Sequence, residues 1–228
     1  MAPPTMTSSL SPLSYQPYLD QLIAFGSVES RKEDLLQAKA EYFRLTGEVF
    51  EDDKLFELRM ASFLDYYLYD RVSPLTGKTP ATEFYEQRMA GSPPEEANAI
   101  RCFTETVHGL FEVRKIGKGE VRLRELYSGK DFDVTERRHV AGLETGDIIE
   151  ARLIPFGGHL LFSAAFCYHP RVAVKAIKAE VKRRKKKEPD RTPNELVWEC
   201  ARRSLNVERY RQLPVEKLYD FEQKVLGG

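Results

Sequence analysis

The sequence predicts an α+β fold: an N-terminal helical bundle, a central small antiparallel β module that is either barrel-like or a curled sheet, and C-terminal helices. Three observations carry that expectation. Capping signals followed by apolar residues at helical spacing fill the chain up to His108. From Gly109 the pattern shortens to β-branched and aromatic runs broken by Gly or Asp, and after Pro170 a helical period returns with a dense run of cations. The expected organisation is a flexible tail over residues 1–14, a helical region over 15–108, the β module over 109–169 and C-terminal helices over 170–228 with a basic segment at 171–191.

The tail, MAPPTMTSSLSPLS, is rich in Pro, Ser and Thr and offers little apolar surface to offset the entropy of ordering it. The first firm helix start is Ser30-Arg31-Lys32-Glu33, a capping box in which the serine oxygen accepts from the Glu33 amide while the glutamate reaches back. That helix should run to about Leu45, with Leu35, Leu36, Tyr42 and Phe43 at helical spacing and Gly47 as its stop. A second is expected from about Asp52 to Arg71, its acids placed against the positive end of the helix dipole. Leu55, Phe56, Phe63, Tyr66, Tyr67 and Tyr69 make it apolar on most sides, which suits a central helix packed against several neighbours better than an aromatic ligand box. Thr79 before Pro80 supplies an N-cap and first helical position for a short helix to Met89. Ser92-Pro93-Pro94-Glu95 is a second capping box, for a helix to about Val107.

Strands are expected at Leu110–Ile116, Val121–Tyr127, Asp131–Thr135, Ile148–Ile154 and His159–Tyr168. Gly117-Lys118-Gly119, Ser128-Gly129-Lys130 and Gly157-Gly158 between them offer the positive φ that tight hairpins need. In Val121-Arg122-Leu123-Arg124-Glu125-Leu126 apolar and charged residues alternate, giving one buried and one wet face. After Pro170 a helix should reach to Pro189, with Val174, Ile177 and Val181 as a narrow apolar stripe and Lys175, Lys178, Lys182 and Lys185 as a basic one. Thr192-Pro193-Asn194-Glu195 opens a further helix, followed by short ones near Val207–Leu213 and Val215–Val225. The tight junction at Val207 has a faint helix-turn-helix character but lacks a glycine turn.

The stretch from Phe63 to Arg71, FLDYYLYDR, with Thr79-Pro80 and Phe84 after it and the strand Gly109-Leu110-Phe111-Glu112-Val113, resembles a pattern in bacterial proteins of unknown function. In those an aromatic helix precedes a small β domain. The resemblance spans roughly Leu55 to Tyr168 and implies the helical-plus-β architecture, with no activity attached to any residue.

A hydrophobic content of 42% over 228 residues is enough for a real core. The three cysteines, Cys102, Cys167 and Cys200, are odd in number and widely spaced, which argues against a disulfide framework and for a reducing, cytoplasmic setting. No stretch approaches the length of apolar sequence that a membrane span needs. The formal charge is zero, with 35 basic and 35 acidic side chains, yet its distribution is uneven. Arg171 to Arg191 holds ten bases against Glu180, Glu188 and Asp190, a local +7, while Glu29 to Asp70 holds eleven acids against six bases. Such asymmetry favours an oriented encounter with a charged partner.

The basic helix is therefore the leading contact surface: Lys175, Lys178, Lys182, Arg183, Arg184, Lys185, Lys186 and Lys187 can follow a phosphate backbone or an acidic protein surface. The bland alternatives are a solvated helix end and pairing with the acidic N-terminal helices. Cys167 and His169, two apart, with His159 earlier on the same strand, are the nearest approach to a metal set, although a buried core thiol explains Cys167 equally simply and no fourth ligand is visible. Asp131 and Asp133 share one strand face and suit hairpin acids more than a catalytic pair, while His108 and His139 stand alone. Arg137 and Arg138 lack the spacing of a cyclic-dinucleotide motif, and no hydrolase, metalloprotease, P-loop or dinucleotide signature is present. The sequence thus favours a non-enzymatic cytoplasmic binding or adaptor protein that meets a protein partner through the basic helix and the β module, with no cofactor and no membrane association. A sequence-independent nucleic-acid-binding protein is the alternative, and an enzyme or metal protein with its site near Cys167 and His169 the second.

Overall fold

Eight α-helices and a five-stranded antiparallel sheet make up the described residues, 14–135 and 142–225, of a computed structural model. Arg137, Arg138, His139 and residues 1–13 of the expected tail lie outside them. The helices are α1 (Tyr15–Gly26), α2 (Lys32–Thr46), α3 (Phe56–Asp65), α4 (Pro80–Met89) and α5 (Pro94–Arg101), then, after the strands, α6 (Val174–Lys187), α7 (Pro193–Arg209) and α8 (Val215–Leu218). The strands β1 (Val107–Gly117), β2 (Glu120–Glu125), β3 (Asp131–Thr135), β4 (Ile148–Phe156) and β5 (His159–Tyr168) lie in the order β3-β2-β1-β4-β5. The sheet curls without closing, so the two outer strands are not hydrogen-bonded to each other.

The faces of β4 organise everything else. Ile149, Ala151 and Leu153 point into the curl, where they pack with Phe111, Val113, Val121, Leu123, Val134 and Phe162. Ile148, Glu150, Arg152 and Ile154 alternate with them and meet the helices. At one end Ile154 joins Leu22, Tyr42, Phe63, Tyr67, Phe84 and Phe103 in a core with the N-terminal helices. At the other, Ile148 joins Leu110, Ile177, Val181, Leu196, Val197 and Cys200 beneath α6 and α7. Glu150 and Arg152 are left at the seam between these two apolar clusters.

Local signals set some elements and fail at others. Thr79 caps α4 as expected, its Oγ1 accepting from the Thr82 amide at 3.2 Å with Pro80 in the first turn. Gly47 stops α2 at φ +88°, a conformation that costs glycine little. The boxes at Ser30, Ser92 and Thr192 form no side-chain cap; a 3-10 turn at Glu29–Arg31 leads into α2, and Pro93 precedes α5. The aromatic helix begins at Phe56, because Asp53 instead accepts from the Phe50 amide and pairs with Arg209. It ends in a π-helical turn, Tyr66–Asp70, closed by the Arg71 amide on the Tyr66 carbonyl at 2.9 Å. The helix is central, as its aromatic content predicts: Tyr67 is fully buried and donates to the Gly26 carbonyl at 2.8 Å. Leu36 is 58% exposed and takes no part in the core. The segment after Thr192 is one continuous helix to Arg209, so the expected break before Val207, and with it the helix-turn-helix character, is absent. No helix among the described residues is long and apolar enough to cross a membrane.

Candidate functional site

Two regions concentrate chemistry: the solvent face of α6 and the polar seam on β4. Along α6, Ile177 is 0% and Val181 4% exposed, and both belong to the core with Leu196 and Val197. The apolar stripe is therefore taken up by the core, which leaves Ile177 and Val181 no part in a contact surface.

The cations of the helix divide by their partners. Arg184 is buried and reaches Glu180 at 2.7 Å and also Glu199; Arg183 reaches Glu180 at 2.7 Å and Glu188 at 2.5 Å. Burial works to raise the Glu180 carboxyl, but hydrogen bonds from Arg183 and Arg184 outweigh it and hold it below the usual range. Lys178 pairs with Glu112 at 3.0 Å, and Lys185 donates to the Tyr127 carbonyl. Arg171 and Arg191 are likewise paired, with Asp147 and with Glu188 and Glu195. Five of the ten bases are thus matched by acids, and none of those acids comes from the Glu29–Asp70 segment. Among the described residues, Lys175, Lys182, Lys185, Lys186 and Lys187 are exposed and have no acidic partner.

The polar seam is built by pairing register. His108 lies opposite Arg152 across β1 and β4, and Glu150 opposite Cys167 across β4 and β5. A bulge in β5 opposite Arg152 breaks the register between Ala151 and Leu153. From the helical side, the π turn sets Asp65 and Asp70, five residues apart, over one another so that both reach Arg152. Arg152 is 2% exposed; it donates to Asp70 and, at 2.9 Å, to Thr106 Oγ1, and its guanidinium lies 4.9 Å from the Tyr69 ring centroid. His108 Nε2 is 3.1 Å from Glu150 Oε1, and its Nδ1 is 3.4 Å from Asp70. Burial and Arg152 oppose the imidazolium, but Asp70 and Glu150 outweigh them and lift His108 to about 9. Beside it opens a polar cleft of about 370 Å³ lined by Asp70, Thr79, Thr106, His108, Arg152 and Asn194.

Further along the seam, Glu150, Cys167 and His169 each offer a donor atom within 4.8 Å of the other two, and all three are buried. Burial pushes the Cys167 thiol up to about 12 and His169 down to about 4. Cys167 and His169 line a cavity of about 260 Å³ together with Arg59 and Ser204.

The sequence named Cys167 and His169 but not Glu150, and it offered His159 in its place. His159 sits at the far end of β5 and contacts Thr135 Oγ1 at 3.1 Å. Asp131 and Asp133 are exposed and paired with Arg124 and Arg122, at 2.8 and 2.7 Å, so they behave as hairpin acids. His108, read as solitary, is a member of the seam. The one signal for Glu150 and Arg152 is their alternation inside an apolar strand, which looks identical to a solvent face until the helices are placed.

A family model described as a family of unknown function (DUF7986) matches residues 28–196, well over half of the chain. The chain belongs to this family. The DUF7986 span contains α6 and the seam from Asp65 to His169, while Ser204 and Tyr219 fall beyond it. No curated protein and no solved structure matches the chain.

Proposed function

We propose that the protein binds nucleic acid without sequence preference, through the phosphates, using the lysine face of α6. The observation that carries this reading is the division of the basic segment: its arginines are matched by acids, its apolar stripe lies in the core, and its exposed cations without an acidic partner are Lys175, Lys182, Lys185, Lys186 and Lys187. No large apolar side chain is exposed on α6 itself, and a charged face of that kind suits a polyanion better than a protein interface, whose affinity rests on buried aromatic and aliphatic groups. From Lys175 to Lys185 the helix rises about 15 Å, and that equals about four phosphates along one strand. Part of the same charge also stabilises the negative C-terminal end of α6, which accounts for the last turn but not for Lys175 or Lys182. The reading includes a cytoplasmic, bacterial setting, supported by three free buried thiols and by the likeness of the aromatic helix and β module to bacterial proteins.

The experiment compares labelled duplex DNA and single-stranded RNA binding to the native protein and to a variant carrying Lys175→Gln, Lys182→Gln, Lys186→Gln and Lys187→Gln. Arg183 and Arg184 stay, because they hold Glu180. Binding at low salt that weakens at least 10-fold in the variant supports the reading. Absence of binding at low salt, or binding indifferent to the four changes, overturns it and returns a protein partner to the front.

A further inference from the structure

We propose that Glu150, Cys167 and His169 form a site for a zinc-class divalent cation, three protein ligands with a fourth position open to the adjoining cavity and filled by an anion. This stands apart from the lysine face and does not rest on it.

The donor set comes first. Thiolate, imidazole and carboxylate together match zinc, and three protein ligands with one open position is the arrangement of reactive zinc sites, whereas structural sites close all four. Geometry is compatible. Tetrahedral zinc with bonds of about 2.0–2.3 Å sets its ligand atoms roughly 3.5 Å apart. The three donors lie within 4.8 Å, so modest side-chain rotation closes the site.

Each nitrogen or oxygen ligand is held from behind. His169 Nδ1 is 2.9 Å from the Tyr219 hydroxyl, which leaves Nε2 buried with no hydrogen-bond partner. Glu150 Oε1 contacts His108 Nε2, and Oε2 is likewise buried and without a hydrogen bond. A ligand oriented through its other atom, with the donor atom free, is how metal sites fix geometry. Two buried orphan atoms, on residues clustered with a thiol, are costly in an apolar interior unless something pairs with them.

Charge then selects the fourth ligand. Binding releases the Cys167 proton to solvent, so the cation, one thiolate and one carboxylate sum to zero. Arg59 lines the same cavity, buried, with Nη2 on the Thr46 carbonyl at 2.7 Å and Nε and Nη1 lacking hydrogen-bond partners. Its positive charge is balanced by a single anion at the open position, a hydroxide or a small carboxylate or phosphate group.

The test is titration of chelator-treated protein with Co²⁺, then displacement by Zn²⁺. The expected result is one cobalt per chain, a thiolate-to-cobalt charge-transfer band, and loss of both on adding zinc. Cys167→Ala should abolish the band, Cys102→Ala should leave it, and Tyr219→Phe should weaken zinc binding by about 10- to 100-fold. No band in the native protein at saturating cobalt, or a band that survives Cys167→Ala, overturns the proposal. If Cys167→Ala does not fold, Cys167→Ser decides: a folded serine variant that lacks the charge-transfer band supports the site, and one that keeps the band sinks it.

Discussion

Arg152 and Asp70, 82 residues apart in sequence, are joined by a buried hydrogen-bonded ion pair that ties the π turn after α3 to the middle of β4. Around it Asp65, Thr106 and His108 complete a charged network at the seam between two apolar clusters. Placing such groups there carries a large desolvation cost, offset only while every partner is present.

Removing one partner should therefore be expensive. Arg152→Leu is expected to lose about 3–5 kcal/mol of unfolding free energy, because the buried Asp65 and Asp70 would lose Arg152 and keep only His108 beside them. Urea unfolding measures it, and a loss under about 1 kcal/mol would mean that water reaches the seam.

α6 presents buried residues on one face and exposed lysines on another. Ile177→Ala should cost about 2–5 kcal/mol through the cavity it leaves, whereas Lys182→Gln or Lys186→Gln should change stability by less than about 0.5 kcal/mol. Thermal unfolding of the three variants checks the division. A strongly destabilising lysine change would mean that the lysine face supports the fold.

Acid should weaken the N-terminal bundle. Hydrogen bonds from Arg71 hold the Glu41 carboxyl below its ordinary 4.5, and Arg31 does the same for Glu83 despite the opposing effect of burial. Because both are depressed in the folded state, their stabilisation is complete above pH 4.5 and is lost as pH falls through the folded values. Glu83→Gln should flatten the acid limb of the stability-versus-pH curve, and an unaltered limb would contradict the assignment.

Gly47 is held by conformation and by space. A Cβ there would lie 2.9 Å from Leu205 Cδ2 at φ +88°, so Gly47→Ala should cost more than the roughly 1 kcal/mol of backbone strain alone. Gly129, also at positive φ but with open space around it, should show only the backbone part when changed to Ala.

Much of the architecture is legible in the residues. β3 and β5 have the predicted limits, β1, β2 and β4 differ at their ends, and the aromatic run from Phe63 to Tyr67 is core. What escaped is non-local. The capping boxes at Ser30 and Ser92 have the right letters but lose to a 3-10 turn and to Pro93, and the π turn that brings Asp65 and Asp70 to Arg152 has no signal in sequence spacing. Glu150 and Arg152 carry no sequence signal of their seam, because alternation tells which side a residue takes but not what covers that side. Cys167 and His169 were visible as a pair, and their third companion only through the register that sets Glu150 opposite Cys167.

The salt dependence of nucleic-acid affinity tests the functional reading most directly. With about four phosphate contacts on duplex DNA, log affinity should fall against log salt with a slope near −3.6, and each single lysine-to-glutamine change on α6 should reduce that slope by about 1. A slope that stays the same when Lys175, Lys182, Lys186 and Lys187 are replaced together would contradict it and place any nucleic-acid contact elsewhere on the protein.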